Sequence, residues 1–394
     1  MFNNCDIAIV DVGSDMIYIK IGEIAKDNVF HIKSSAEMYY DGFMEGDWLN
    51  GDDVSKAVRC CFDKALYNFS TKLSAIYVGV PGDFARVQTR SNKLSFGCNH
   101  KINIGDINAI KEDLYPSNDG RFEVVSTHEV SYRLDGKYET LAPLNKSCFM
   151  LEVRLSFAMC KKSFCDLFKT ILSDYSRKIK FVDLSTAQCL MATDKDLRIK
   201  NSAVLVDIGY LTTDIAYIKG DGLIALNTLP IGGGHIAYDL SYGLGMQYND
   251  ALSLKSTIDF NGENTLVKIG TNNGIVEEEK SYISMIASAR LEEIAEEISK
   301  IIANYPIKYE KFLKIYLTGR GIADMKGVRS VMANALGRQC ELIRAMYEDR
   351  NKIYLSQASI IQYVCQKDKP SKPSLINKLF GWFSFYGKIV WLFE

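Results

Sequence analysis

Two stretches about half the chain apart carry residue types suited to holding a phosphate. Asp11-Val12-Gly13-Ser14 and Asp207-Ile208-Gly209 each end an apolar strand, and Thr212-Thr213-Asp214 completes the second stretch. In such a turn the backbone N–H groups can face a phosphate, while the carboxylate holds a hydrated magnesium ion. We therefore predict that the two turns grip a polyphosphate and that Asp11 and Asp207 contact Mg²⁺ through water.

A third glycine-rich turn follows a later strand. Thr318-Gly319-Arg320-Gly321 stands between a predicted strand and a predicted helix. A single Asp-x-Gly occurs in many ordinary turns, so it indicates little by itself. The pair of such turns, together with Gly319 and Gly321, is far more specific and predicts a nucleotide site.

Each Asp-x-Gly stretch needs a strand on both sides to hold it in place. Apolar, β-branched runs predict strands over residues 7–12 and 16–22, and again over 203–208 and 213–218. Because the same hairpin device occurs twice, we predict an internal duplication within an α/β fold. The other elements predicted nearby are helices over residues 53–69 and 162–175 and strands over 75–80 and 314–317.

The composition excludes several classes of protein. With 394 residues, 47% of them hydrophobic and 24% charged, the chain is typical of a globular protein of two or three domains. A net charge of -1 argues against a nucleic-acid partner, because phosphate neutralisation needs a basic surface. Ten Cys without a CxxC pair, and only four His, give no zinc-binding spacing. The N-terminus lacks the basic region of a secretory signal, so we expect a cytoplasmic protein.

The clearest predicted helix covers residues 278–303, and an Arg interrupts its apolar side. Ile residues recur at helical spacing along that side with Arg290 among them, while Glu296 and Lys300 form a favourable i,i+4 pair. An Arg in this setting can grip an acidic peptide bidentately while its neighbours bury apolar anchors. The alternative is an ordinary ion pair between Arg290 and a nearby Glu.

An amphipathic tail is predicted over residues 375–394, after a Pro-containing linker over 367–374. Lys378 and Lys388 accompany its aromatic residues, a composition suited to a helix that lies in the lipid headgroup region. The alternative is a helix docked on the protein itself or on a second copy. The residues predicted to contact the membrane are Leu375, Leu379, Trp382, Phe383, Tyr386, Ile389, Trp391 and Phe393.

These motifs resemble those of the actin and sugar-kinase superfamily, and within it the FtsA family of bacterial cell-division proteins. The two Asp-x-Gly hairpins are similar to the family's two phosphate motifs, and Thr318-Gly319-Arg320-Gly321 is similar to its adenosine-contacting turn. Residues 229–236 resemble the segment after the second hairpin and add Gly233 and Gly234 to the implied nucleotide contacts. Residues 251–255 resemble a helix that contributes a Lys, which is Lys255 in this chain.

The resemblance covers essentially the whole chain and implies a two-domain actin-like fold with a central nucleotide cleft. Ser185-Thr186-Ala187 stands where the family has its interdomain connecting helix. The implied organisation is a first domain at 1–82 and 161–195, an inserted α+β subdomain at 83–160, a second domain at 196–235 and 313–366, and a helical cap at 236–312.

For function, the resemblance implies a protein that binds ATP and Mg²⁺ on the cytoplasmic side of the membrane at the division site. Its implied partners are the FtsZ C-terminal tail, held by the cap with Arg290 and Lys300, further copies of itself in filaments, other division proteins and the membrane surface.

A few residues depart from the family's pattern. Tyr210 and Leu211 fill positions usually held by glycines, Leu252 replaces a Glu that meets the ribose, and Arg320 replaces a Gly. We therefore expect ATP binding with weak or no hydrolysis. Two alternatives share the fold: a PilM-type pilus-assembly adaptor, which does not need its own membrane helix, and a small-molecule kinase or ATPase. The latter requires a catalytic carboxylate and an intact phosphate cradle.

Overall fold

The computed structural model describes residues 6–25, 28–44, 46–49, 51–67, 73–117, 119–305, 313–348 and 351–367. The predicted membrane helix over 375–394, and the linker from residue 368 onward, lie outside the described residues.

The described part of the chain alternates strands and helices. The strands are β1 (Ile7–Val12), β2 (Met16–Ile24), β3 (Phe30–Tyr39), β4 (Phe43–Met44), β5 (Asp47–Trp48), β6 (Ala75–Val80), β7 (Ala85–Lys101), β8 (Phe122–Leu134), β9 (Tyr138–Thr140), β10 (Ser147–Lys161), β11 (Ile179–Asp183), β12 (Ala203–Ile208), β13 (Thr213–Lys219), β14 (Gly222–Leu229), β15 (Leu266–Thr271), β16 (Gly274–Glu279), β17 (Lys314–Thr318), β18 (Cys340–Leu342), β19 (Met346–Glu348) and β20 (Asn351–Ile353). The helices are α1 (Gly51–Leu66), α2 (Ile104–Leu114), α3 (Lys162–Leu172), α4 (Leu184–Ala192), α5 (Lys195–Lys200), α6 (Gly233–Leu244), α7 (Tyr248–Ser256), α8 (Lys280–Asn304), α9 (Val328–Leu336) and α10 (Leu355–Lys367).

Two five-stranded sheets repeat one topology, which confirms the predicted duplication. The first has the order β3-β2-β1-β6-β11 and the second the order β14-β13-β12-β17-β18. In each, the first strand pairs antiparallel with the next strand of the chain and parallel with the strand that returns after a crossover. The two predicted Asp-x-Gly hairpins are therefore β1–β2 and β12–β13, at equivalent places in the two sheets.

The first sheet is covered by helices on both faces. On one face, α1 and α3 pack through buried aromatic residues such as Phe62, Phe164 and Phe168. On the other, α10 contributes Ile360 and Val364. Because both faces are covered, β1 and β6 are buried along their whole length and consist of almost continuous apolar runs.

Between β14 and β17 of the second sheet the chain forms the helices α6, α7 and α8, largely within the region predicted as a helical cap. The core of this sheet joins α6, α8 and α9 to the strands on one face, with Ile236, Leu291 and Met332 completely buried. The predicted helix over 278–303 is α8, and its buried Ile and Leu residues follow helical spacing. No helix among the described residues is long and apolar enough to cross a membrane.

Between β6 and α3 the chain forms a separate four-stranded sheet of order β7-β10-β8-β9. Helix α2 packs against it with Ile107, Ile110 and Leu114, which belong to a core distinct from those of the two large sheets. Asn103 caps α2 by accepting hydrogen bonds from the N–H groups of Gly105 and Asp106.

Candidate functional site

The two hairpin turns have the same backbone geometry. The Gly13 N–H donates to the carbonyl of Met16 at 2.9 Å, and the Gly209 N–H donates to the carbonyl of Thr212 at 2.8 Å. Asp11 lies two residues before the first of these glycines, near the end of β1, and Asp207 two before the second, near the end of β12. The equivalent sequences thus place two carboxylates at equivalent sheet positions.

The turns meet at a small cavity of about 100 Å³. Side chains and backbone from both large sheets line it, so it lies between the two duplicated halves. It therefore unites most of the residues that the sequence predicted to hold phosphate and magnesium. The predicted residues that line it are Asp11, Gly13, Ser14, Asp207, Gly209, Thr212, Asp214 and Gly319.

The carboxylates of this cavity are buried or half-buried, and few hydrogen-bond donors reach them. Asp11 accepts a hydrogen bond from Ser356 Oγ at 2.7 Å, and Asp207 accepts one from Gln188 Nε2 at 2.6 Å. Burial raises the pKa of both, and that of Asp207 reaches about 7. Burial and then the charge of Asp83 raise the pKa of Asp214 as well. The site is therefore short of positive charge.

The donor set fits a hydrated magnesium ion. Among the described residues lining the small cavity, five are Asp and Arg320 is the only Lys or Arg. Yet in the described part of the chain no three His, Cys, Asp or Glu side chains converge closely enough to hold a metal directly. Mg²⁺ keeps several of its waters and binds proteins through one or two carboxylates, so contact from Asp11 and Asp207 through water is compatible with this arrangement.

A second cavity of about 600 Å³ adjoins the first. It is lined by four Tyr side chains, by Leu252 and by the predicted residues Lys255 and Gly321. The Lys255 ammonium donates to the carbonyls of Gly233 at 3.2 Å and Gly321 at 2.9 Å, and burial lowers its pKa to about 8. Size and aromatic lining suit a purine nucleoside. The Tyr residues are Tyr39, Tyr210, Tyr248 and Tyr354.

Three predicted nucleotide contacts, Thr213, Gly233 and Gly234, are not among the residues lining either cavity. The Thr213 hydroxyl donates to the carbonyl of Ile231 at 2.7 Å. The N–H groups of Gly233 and Gly234 donate to the carbonyls of Gly209 and Tyr210 at 2.8 and 2.7 Å. In the structure the two glycine N–H groups hold the second hairpin turn, and the Thr213 hydroxyl holds the segment that follows β14.

Tyr210 and Leu211 do not line the small cavity, although they replace the glycines expected from the family pattern. The Tyr210 ring packs against Gly234, and its hydroxyl bonds the Tyr248 hydroxyl at 2.5 Å, so it borders the larger cavity. Leu211 packs against the core of the first half, and its N–H donates to Ser14 Oγ at 3.0 Å. The added bulk is directed away from the carboxylates, because these side chains turn to either side of them.

The structure adds residues that the sequence did not indicate. Gln188 reaches Asp207 from α4, a helix whose N-terminus is capped by Asp183. Ser356 reaches Asp11 from the first turn of α10. Asp83 lines the small cavity after the Pro81-Gly82 turn, and Asp15 lines both cavities directly after the first motif. Of these, only Asp15, adjacent to Ser14, was within reach of a motif-based prediction.

The predicted partner-binding residues lie on α8, away from the cleft. Arg290 is paired with Asp239 of α6 at 2.6 and 2.8 Å and with Glu293 at 2.5 Å. Lys300 is paired with Glu296 at 3.0 Å and Glu297 at 2.8 Å. An acidic peptide on this surface would therefore exchange with carboxylates of the chain itself.

Comparison with known proteins agrees with these features. The model of the family "Cell division protein FtsA" matches residues 204–361. The FtsA of Bacillus subtilis is 26% identical in an alignment 386 residues long, which covers 93% of this chain and 85% of that protein. Among solved structures, the PilM–PilN type IV pilus biogenesis complex aligns with a TM-score of 0.58 at 13% identity, over 93% of this chain and 99% of the other. The MamK double helical filament aligns with a TM-score of 0.54 at 12% identity, over 93% and 100%.

These structural neighbours are actin-like ATPases, and the likeness to them confirms the predicted fold. The sequence relatives are more specific, because they are cell-division proteins of one family. By sequence this chain is similar to the FtsA family of cell-division proteins, and its fold is actin-like.

Proposed function

We propose that this protein binds ATP in the cleft between its two halves and anchors FtsZ filaments to the inner face of the membrane at the division septum, polymerising there. The observation that carries the proposal is a pair of equivalent Asp-x-Gly turns that face one cavity rich in carboxylates and poor in positive charge. The chain that contains them is similar to the FtsA family. The same cleft in a metabolic kinase would need a carboxylate placed as a base for a substrate hydroxyl.

Within the cleft, the nucleoside would occupy the larger cavity and the phosphates would point towards Asp11 and Asp207. Magnesium, when bound, would supply the positive charge that the carboxylates and the phosphates both lack. The chain's own residues position the ligand: Lys255 fixes the turn at Gly321, and Gln188 orients Asp207. ATP would then favour the closed arrangement of the two halves, as a ligand shifts a two-state equilibrium.

The nucleotide part is tested by thermal unfolding with and without Mg-ATP. Ligand at 100 times its dissociation constant stabilises a protein by about 2.7 kcal/mol. Asp207→Ala should remain folded and lose this stabilisation, whereas Asp174→Ala, at an exposed ion pair with Arg59, should keep it. Equal stabilisation of both variants would place the nucleotide elsewhere. Turnover well above about 1 per second, the usual range of kinases, would reject a scaffold role.

Binding of the FtsZ tail is proposed on the α6–α8 surface around Arg290. Exposed apolar side chains flank the ion pairs there, namely Tyr238, Tyr242, Tyr282 and Met285. A peptide carboxylate could replace Asp239 on the guanidinium while apolar peptide residues cover the tyrosines. Arg290→Glu should weaken binding of an FtsZ tail peptide at least tenfold, about 1.4 kcal/mol. Lys56→Glu on α1, an exposed reversal of the same charge, should leave the affinity unchanged in the anisotropy titration.

Membrane attachment is proposed for the tail over residues 375–394, and self-association follows the filament-forming neighbour MamK. A single tail binds reversibly, and a polymer that presents many tails binds more strongly. Truncation after Ser371 should move the protein from the liposome pellet to the supernatant and leave its melting temperature unchanged. A truncated protein that still pellets, or that unfolds, would overturn attachment through the tail and favour a tail docked on the protein itself.

A further inference from the structure

Arg320 lies at the boundary between the two cavities of the cleft. It lines both of them, and its side chain is 23% exposed. Glycines on either side fix its backbone: Gly319 adopts a φ of +112°, and the Gly321 N–H donates to the carbonyl of Ile208 at 2.8 Å. Since the turn is packed against the second hairpin, the long side chain is the part of it that can reach across the cleft.

The contacts of Arg320 join the two halves of the molecule. Its Nη2 pairs with the Asp15 carboxylate, and its Nη1 donates to the Tyr18 hydroxyl at 2.6 Å. Both partners belong to the first hairpin, whereas Arg320 follows β17 of the second sheet. The guanidinium also lies 5.5 Å from the centre of the Tyr18 ring and 5.8 Å from that of Tyr210. Burial lowers the pKa of Arg320, but Asp15 and the other partners raise it by more, so the charge is retained.

The chemistry of this pair is matched to a phosphate. A guanidinium binds carboxylates and phosphates through the same planar pair of N–H donors. Asp15 itself is only 6% exposed, and burial raises its pKa although Arg320 lowers it. Burial therefore disfavours the ionised form of Asp15 that pairs with Arg320. A polyphosphate, which carries more charge, can compete with this carboxylate at the boundary between the nucleoside and phosphate positions.

We propose that Arg320 is a phosphate-operated latch, which ties the two halves together through Asp15 in the empty cleft and transfers its guanidinium to a nucleotide phosphate on binding. This inference rests on the proposed ATP binding, and in it Arg320 and Asp15 have opposite effects on the affinity for ATP. Arg320 is a binding residue for the phosphate, and Asp15 is its competitor.

Opposite effects of two substitutions test the latch. In calorimetric titration of the full chain with Mg-ATP, Asp15→Asn removes the competitor and should tighten binding at least threefold. Arg320→Ala removes the phosphate contact and should weaken binding at least tenfold. Adenosine, which has no phosphate, should lose much less affinity in Arg320→Ala than ATP does. Arg59→Ala and Asp174→Asn, the two sides of an exposed ion pair, serve as controls with unchanged affinity.

The alternatives give different results. A merely structural ion pair would change ATP affinity in the same direction in both variants, and an obstructing Arg would make Arg320→Ala bind more tightly. Either result overturns the latch while ATP binding stands. No ATP binding by the folded wild type, Asp15→Asn and Arg320→Ala proteins would overturn both the latch and the nucleotide part of the proposed function.

Hydrogen exchange supplies a second readout that does not need ATP. The Leu211 N–H donates to Ser14 Oγ across the cleft, so its exchange reports closure of the nucleotide-free protein. Both Asp15→Asn and Arg320→Ala should speed this exchange, while amides within β12, held by the sheet, stay protected and show that the variants are folded. Unchanged Leu211 exchange in both variants would contradict the interdomain tie.

Discussion

The two duplicated hairpins have the same turn but are supported in different ways. The second turn is enclosed by backbone: Gly233 and Gly321 donate their N–H groups to the carbonyls of Gly209 and Ile208, both at 2.8 Å. The first turn is held by one backbone contact, in which the Tyr40 N–H donates to the carbonyl of Asp15 at 2.9 Å, and by one side-chain contact, in which the Tyr40 hydroxyl donates to the carbonyl of Gly13 at 2.6 Å. The duplicated turns thus differ: backbone contacts enclose the second turn, whereas a side chain contributes to holding the first.

We expect the two halves of the cleft to respond differently to a ligand. Backbone hydrogen bonds between close-packed glycines leave no room for adjustment, so the second half offers a preformed surface to the ligand. Side-chain partners can rotate away, so the first half can respond when a ligand arrives. The cross-cleft contacts of Ser14 and Asp15, which both belong to the first hairpin, are consistent with that role.

The largest expected effect comes from adding one methyl group to each turn. A Cβ at Gly321 would lie 2.2 Å from the carbonyl oxygen of Gly209, whereas a Cβ at Gly13 would lie 3.1 Å from that of Met16. Gly321→Ala should therefore lower the free energy of unfolding by about 3 kcal/mol or more, and Gly13→Ala by about 1 kcal/mol. Urea unfolding of both variants measures the difference. Equal losses would mean that the second turn is no more constrained than the first.

The next effect concerns the pH dependence of the second half. Burial raises the pKa of Asp207 from its ordinary value of 3.8 to about 7, so the folded protein binds this proton more tightly than the unfolded chain. Stability from this group is therefore present at low pH and is lost as the pH rises towards 7. Asp207→Asn, which keeps an oxygen for Gln188, should remove this loss and be more stable than wild type at pH 8, on the order of 2 kcal/mol.

Thermal unfolding between about pH 5 and pH 8, without nucleotide, checks this prediction. The wild-type melting temperature should fall relative to that of Asp207→Asn as the pH rises. Parallel curves for the two proteins would show that Asp207 is ionised in the folded state throughout this range. Asp174→Asn, at an exposed carboxylate, should follow the wild type.

The hairpins and the third turn could be predicted because their signals are local. A β-branched run followed by Asp-x-Gly determines strand, turn and carboxylate within a few residues, and the observed β1, β6 and β12 have the predicted bounds. The α8 helix was predicted within two residues at each end for the same reason, since its apolar spacing is regular over its 25 residues.

The polar partners of the site could not be predicted, because they come from distant parts of the chain. Ser356 bonds Asp11 from 345 residues away, and Arg320 pairs with Asp15 over 305 residues. No local pattern relates such positions. For Gly233 and Gly234 the motif predicted ligand contacts, but the structure shows a packing role. Because they lack a Cβ, three backbone segments can approach one another closely there.

The smallest expected effect separates the adjustable half from the rigid one. Ser14→Ala removes the oxygen that accepts the Leu211 N–H at 3.0 Å, and an unpaired N–H in a partly buried place costs about 1 kcal/mol. Ser253→Ala on α7, which removes an exposed hydroxyl bonded to the carbonyl of Asn249, is the matched control and should change the unfolding free energy little.

Amide exchange in Ser14→Ala then shows which hydrogen bonds of the two hairpins open more often in the variant. Because the N–H groups of Gly233 and Gly321 are held by carbonyls of the second half itself, their exchange should stay as slow as in the wild type. The Leu211 amide, whose acceptor lay on the first hairpin, should exchange faster. If all three amides accelerate together, the two hairpins open as one unit. The contrast between a preformed second turn and an adjustable first turn would then have to be abandoned, because the backbone stack would itself depend on the cross-cleft contact.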